Sequence, residues 1–271
     1  MRFLGAIWKL LVGIKDALVL IFMLLFFGLL YVGLQARPNP VGEGVLVLDL
    51  DGTIVEQPSA PDTAALLAGG QRLHEFSRRD LVAVLDAARD DDRVKAVALD
   101  LDGFLGGGQT AIGDVGAAID RVRKSGKTVV AYAAGYSDDG YQLAAHASEI
   151  WMHPLGAVAI AGPGGQNLYY KGLLDKLGVT ANIYRVGTYK AAVEPFTRND
   201  MSPEARENMA ALAGALLETW REDVAKARPA AAVDAYMRDP VGALGRAGGD
   251  LGKAALAARL VDKLGERRAF E

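Results

Sequence analysis

The chain has 271 residues, with 30 lysines and arginines against 33 aspartates and glutamates and a formal net charge of -3. The two signs are interspersed, so no basic face is available to track a phosphate backbone, and nucleic acid is excluded as a natural partner. There is no cysteine, which rules out disulfides and thiolate metal sites in any compartment.

The first element is a membrane segment. Ala17 to Ala36 is twenty residues without a charge, the length a helix needs to cross a bilayer. Arg2, Lys9 and Lys15 precede it, whereas only Arg37 lies close behind before a long gap to Arg72, so the amino terminus is expected in the cytoplasm and the rest outside it. A cleavable signal peptide is the competing reading. Its apolar region would be shorter, and Leu34-Gln35-Ala36 is not a small-x-small cleavage site. Arg37 to Gly44, with two prolines and two glycines, reads as a juxtamembrane linker. Residues 1–40 are thus assigned to the cytoplasmic end, anchor and linker, and residues 41–271 to one globular unit large enough for a single core.

Within that unit, strand-like runs at Val45–Leu50, Val94–Leu101, Thr128–Ala133, Glu149–His153 and Val179–Val186 alternate with helical patterns. The alternation predicts an α/β domain with largely parallel strands. Ser77 followed by Asp80 is a capping-box variant opening a helix whose Leu81, Val84, Leu85 and Ala88 share one face, expected to be core. Ser202-Pro203 starts a longer helix, serine as N-cap and proline first, running to about Arg228. Pro229 to Asp250 is rich in alanine and glycine and shows no clear period. A last helix is expected from about Gly252 to Leu264.

Several motifs carry possible chemistry. Asp49-Leu50-Asp51-Gly52-Thr53 after an apolar strand matches the first motif of haloacid dehalogenase phosphatases, whose later magnesium-holding pair would have to be Asp138-Asp139; the alternative is a strand end and turn. Gly106, Gly108 and Ala111 satisfy G-x-G-x-x-A, but Ala133-Ala134-Gly135 stands where a dinucleotide site needs an acid. The glycines remain as close-approach backbone around a substrate carbonyl or as a plain turn. Ser137 in Gly135-Tyr136-Ser137-Asp138-Asp139 half resembles a nucleophile elbow, and is read in preference as a helix N-cap. His74, His146 and His153 have no metal-ligand spacing.

The most informative stretch is R-V-G-T-Y-K-A-A-V-E-P-F, Arg185 to Phe196. Gly187 breaks the strand-like run before it, and Pro195 stops a helix from passing through Glu194, so Lys190 and Glu194 are not expected to form an ordinary i, i+4 pair. A lysine without a carboxylate partner, set against apolar neighbours, loses preference for its charged form. To act as a base near neutral pH its pKa would have to fall by about three from about 10.4, a differential of roughly 4 kcal/mol. On spacing alone, Lys190 reads first as a solvated surface lysine.

This segment and its continuation T-R-N-D-M-S-P-E-A-R-E (Thr197 to Glu207) closely resemble the signal peptide peptidase A, or protease IV, family. The resemblance runs over nearly the whole chain, through V-A-L-D-L-D-G-F-L-G-G-G (Val97 to Gly108), D-D-G-Y-Q-L-A-A-H-A-S-E-I-W-M-H-P (Asp138 to Pro154), L-Y-Y-K-G-L-L-D-K-L-G-V (Leu168 to Val179) and A-A-R-L-V-D-K-L-G (Ala257 to Gly265). It implies a ClpP/crotonase-like superhelix of ββα units and a membrane-anchored serine endopeptidase with a Ser/Lys dyad, acting on cleaved signal peptides and other apolar peptides without a cofactor. Lys190 then matches the general base, and Gly106 and Gly107 match the turn that supplies oxyanion amides. In the family's catalytic repeat the nucleophile precedes Gly-Gly-Tyr; setting Tyr141 against that tyrosine puts Asp138, not Ser137, at the serine's place. The resemblance therefore implies that this chain is the amino-terminal half of a two-repeat enzyme, silent alone, partnered by a carboxy-terminal catalytic repeat, by the membrane and by further copies of itself. A non-catalytic scaffold or peptide-binding half is the alternative, and the phosphatase using Asp49 and Asp51 a third.

Overall fold

The computed structural model describes residues 2–35, 42–60 and 73–270. The chain forms two compact units, Met1–Gly42 and Glu43–Glu271. The first is a single helix, α1 (Arg2–Gln35), that starts well before the charge-free run and carries Lys9, Lys15 and Asp16 on its early turns. Its stretch Ile7–Leu34 is long and apolar enough to cross a membrane, and none of it is buried against protein. A helix that is apolar all round belongs in an apolar medium. Most of the expected linker, from Arg37 to Val41, lies outside the described residues.

In the second unit β1 (Gly44–Asp49), β4 (Val94–Asp100), β6 (Thr128–Ala133), β7 (Glu149–Met152) and β8 (Lys263–Leu264) lie side by side in that order, each pair parallel. A second parallel sheet holds β3 (His74–Ser77), β2 (Gly52–Val55) and β5 (Gly106–Gly107) in that order. Two strands of the first sheet feed a partner in the second layer: β1 leads to β2, and β4 to β5. After β6, Tyr136 bridges Val158, which follows β7. Helices α2 (Arg78–Asp90), α3 (Gln109–Lys124) and α4 (Asp138–Ala145) close the successive turns, giving the expected superhelix of ββα units.

The core lies between these helices and the five-stranded sheet. Val97 and Leu99 of β4, Val129 and Ala131 of β6 and Ile150 and Met152 of β7 alternate onto the face that meets Leu85 of α2 and Ile112, Val115 and Ile119 of α3. Removing a fully buried leucine such as Leu85 would cost about 2–5 kcal/mol. Ser77 caps α2 through its side chain to the Asp80 amide, as the capping signal predicts. Leu81, Leu85 and Ala88 are core, but Val84 is exposed: the apolar stripe is wider in sequence than the surface that α3 covers.

The long helix α7 (Pro203–Ala227) follows two short ones, α5 (Lys171–Lys176) and α6 (Glu194–Thr197), and begins where Ser202 and Pro203 place it. Beyond it, α8 (Val233–Arg238) and α9 (Pro240–Arg246) fill the stretch without a clear period, each too short to show one, and α10 (Leu251–Ala257), capped by Asp250, opens where the final helix is expected. The expected final helix ends early, since Arg259 takes a positive φ and the chain turns into β8. Val179–Val186 is not a strand. Its Tyr184 and Val186 are exposed, and β-propensity without a strand alongside to pair with does not make a sheet. The last element, α11 (Arg267–Phe270), lies on the opposite sheet face, where Phe270 packs on Tyr132 and Trp151 and Arg267 pairs with Asp100 and Asp102.

Helix α7 is fixed to the body by polar bonds. The Trp220 indole donates to the Asp138 carbonyl at 2.9 Å, and the Gln109 amide donates to the Leu216 carbonyl at 2.7 Å. Asp223 accepts from the Gln142 amide at 2.8 Å and lies 3.3 Å from Nε2 of buried His146, whose Nδ1 faces Asp120 at 3.2 Å. Burial works to raise the Asp223 carboxyl, but the bonds from His146 and Gln142 outweigh it and hold the group below its ordinary value. A carboxyl depressed in the folded state stabilises fully above its unfolded pKa of about 3.9 and loses that contribution as pH falls through the lower folded value. Asp223→Asn is therefore expected to lower the melting temperature near pH 6 and to converge on the parent as the pH is taken toward 2. Melting curves across that range check this; a constant difference at every pH would refute it.

Candidate active site

Lys190 sits where a turn ends. Gly187 has a φ of +103°, a conformation that side chains rarely adopt, and its carbonyl receives the Lys190 amide at 3.4 Å. A Cβ at Gly187 would lie 3.7–3.8 Å from the Lys190 stem, so the stem folds back over the glycine. The side chain is exposed and makes no ion pair among the described residues. The apolar surroundings that would favour a neutral amine are thus not supplied by the described part of this chain.

After Lys190, a 3₁₀ turn at Ala191–Val193 leads into α6, which places Glu194 inward. Glu194 is 1% exposed. Its Oε2 accepts the Ser202 amide at 3.0 Å; the Ser202 side chain first and this amide second, with weaker help from Arg198 and Arg185, hold the carboxyl below its ordinary value. Its Oε1 has Arg185 Nη1 at 3.5 Å as charge partner, and the same Nη1 donates to the Lys190 carbonyl at 3.1 Å. Glu194 therefore does not pair with Lys190, as expected. Tyr189 donates to Glu207 at 2.9 Å, and Tyr170 stacks on Phe196 at 5.8 Å, so both flanks of the lysine turn are tied down. Sequence reasoning caught the Ser202 cap and missed Glu194, a remote carboxylate in the role that a capping box gives to a local one.

The glycine turn lies beside the start of α4. Gly106 has a φ of +105°, and a Cβ there would collide with Asp139 Oδ2. The Gly107 amide donates to that same oxygen at 3.0 Å. An amide expected to face a substrate oxyanion is thus bound to a carboxylate of the chain itself. Asp138, at the position matched to the serine, accepts the Ala161 and Gly162 amides at 3.1 and 2.8 Å. Gly107, Asp138, Asp139, Leu216 and Trp220 line a cavity of about 390 Å³, and Lys190 is not among its walls. The structure brings Gly107 and Asp138 together and leaves Lys190 outside that cavity.

Ser137 caps α4, its hydroxyl accepting the Gly140 amide at 3.4 Å. Asp51 is held by His74 at 2.7 Å, and Asp138 and Asp139 by backbone amides, so the acids of the phosphatase reading serve as turn and loop ties. His153 accepts the Leu155 amide, and His146 is the buried member of the cluster under α7.

Residues 121–270 match the family described as Peptidase family S49. Protease 4 of Salmonella typhi is 36% identical over 271 residues, 95% of this chain and 44% of its own length. Protease 4 of Haemophilus influenzae is 40% identical over 228 residues, 80% of this chain and 36% of its own. The chain thus spans less than half the length of either relative. Among solved structures, an enoyl-CoA hydratase/isomerase family protein from Silicibacter pomeroyi covers 55% of this chain and 77% of its own at 19% identity, with a TM-score of 0.26, too low to carry an argument. By the match over more than half of its residues, this chain is a member of peptidase family S49.

Proposed function

We propose that this chain is the base-bearing half of a membrane-anchored serine endopeptidase that degrades cleaved signal peptides and other apolar peptides. The observation that carries it is the contrast between two positions. Lys190 is presented on a pinned turn without an ion-pair partner among the described residues, whereas the position matched to the nucleophile is Asp138, tied to two backbone amides. The serine comes from a second repeat. Its Oγ attacks the peptide carbonyl carbon while neutral Lys190 Nζ takes its proton; the C–N bond then breaks as Nζ returns the proton to the leaving amine. Water attacks the acyl ester, Nζ takes its proton, and the serine regains it as the ester opens. Desolvation of Lys190 follows from docking of that repeat, supported by the exposed Leu173, Leu177, Tyr184, Val186 and Phe196 around the lysine segment. The same apolar surface favours association of several copies.

Helix α1 would tether the globular unit just outside the cytoplasmic membrane, where apolar peptides released into the bilayer are within reach. The reading needs no cofactor. Gly106 and Gly107 belong to the proposal as the oxyanion turn only if Asp139 withdraws, and the Asp139 bond to Gly107 favours a second reading in which this repeat is a scaffold or peptide-binding half.

Lys190→Ala in the complete enzyme is expected to abolish hydrolysis of an apolar peptide amide while leaving the melting temperature unchanged. Lys190→Arg should fail too, since a guanidinium stays protonated. Near-normal turnover in either would sink the assignment. Protease added to spheroplasts should digest residues 42–271, and protection until lysis would reverse the topology. The 271-residue chain alone should be folded and silent toward a serine-reactive fluorophosphonate. Labelling that disappears in Ser137→Ala would instead give this chain its own nucleophile.

A further inference from the structure

The lysine turn is closed by a second device that the base assignment does not require. Arg185 and Glu194 stand on either side of Lys190 in sequence, before and after the turn. One guanidinium nitrogen, Arg185 Nη1, reaches both the Lys190 carbonyl at 3.1 Å and Glu194 Oε1 at 3.5 Å. Glu194 Oε1 is buried and accepts no hydrogen bond among the described residues, and the cation in ion-pair contact with it there is Arg185. At the other end Oε2 takes the amide of Ser202, the N-cap of α7. A continuous path therefore runs from the first amide of a long, docked helix through a buried carboxylate and a guanidinium to the backbone of the lysine.

We infer that Arg185 and Glu194 are positioning residues that hold the Lys190 backbone in the orientation from which its amine meets the serine. This rests on Lys190 being the base. The chemistry suits the two residue types. A guanidinium offers several donors in a rigid plane, so it can bridge a carboxylate and a carbonyl at once, which a lysine's single ammonium does with poorer geometry. A carboxylate can accept an amide on one oxygen and face a cation with the other. Exposed as it is, the Lys190 stem is not held by packing, and its direction is set by where its backbone points. Displacing a proton-transfer group by about 1 Å costs on the order of a hundredfold in rate.

The test uses the complete enzyme, this chain joined to the half that carries the serine, and an apolar peptide ester. Arg185→Ala, Glu194→Gln and their double variant are compared with the parent, and each is repeated in a Lys190→Ala background. The expected result is a fall in kcat of about ten- to a hundredfold with KM changed by less than about threefold, the double variant no worse than the poorer single. Arg185→Lys should recover part of the loss, and in the Lys190→Ala background none of the changes should lower the residual rate further. Because Glu194 is buried, Glu194→Gln risks unfolding; Arg185→Ala, at a half-exposed side chain, then carries the comparison. Normal kcat in Arg185→Ala beside a dead Lys190→Ala would overturn the positioning role and leave the base in place. Full activity in Lys190→Ala would overturn the base itself. A loss confined to KM, or one that persists undiminished when Lys190 is already alanine, would assign the pair to another task and overturn the inference.

Discussion

Helix α7 is the member on which both parts of the candidate site rest. Its first amide receives Glu194 from the lysine segment, its middle closes the cavity over Gly107, and its second half is bolted to α4 through Asp223. The bolt is polar because the apolar contact is small: Trp220, Val224 and Ala227 are buried, while Met209 and Leu212 stand exposed on the earlier turns. In a partly buried setting, hydrogen bonds to a carboxylate are stronger than in water, and leaving one of their partners unsatisfied is costly. The helix is therefore located by its ends and by a few directed bonds, and the lysine turn inherits its position from that location.

The two ends of the site treat charge in opposite ways. At the glycine turn an anion is already in place, since Asp139 occupies the amide of Gly107. At the lysine turn the cation is left open, with Glu194 directed away to Ser202 and Arg185. With its hydrogen committed to Asp139, the Gly107 amide is already satisfied within the chain. Asp138, committed to the Ala161 and Gly162 amides, accordingly serves as a tie between α4 and the following loop.

What could be read from the sequence was local. The Ser77 and Ser202-Pro203 helix starts need only a side chain and an amide three residues on, and the parallel strands announce themselves by short, largely apolar runs. The lysine turn was legible because glycine and proline bracket it. The features that were missed depend on partners far along the chain. Asp139 meets Gly107 across 32 residues, and Gln142 meets Asp223 across 81, distances at which no periodicity speaks. Val179–Val186 misled for the same reason in reverse. Its residue types favour a strand, but a strand exists only by courtesy of a neighbour, and none of the described residues pairs with it.

The pairing of β7 with β8 is short, two residues on each side, supported by the Ile150 amide on Asp262 and by Arg228 reaching the same carboxylate. It nevertheless completes the sheet after the chain has wandered through residues 153–262, an excursion that contains the lysine turn, α7 and the short helices α5, α6, α8, α9 and α10. Closing a loop costs entropy that grows only logarithmically with its length, about 0.6 kcal/mol for each doubling. The sheet is thus nearly indifferent to how long the excursion is, provided that its two ends return to the same edge. Insertions and deletions in its exposed turns can therefore reshape the surface around Lys190 over evolutionary time while the buried helix faces and the β7–β8 pairing stay in place.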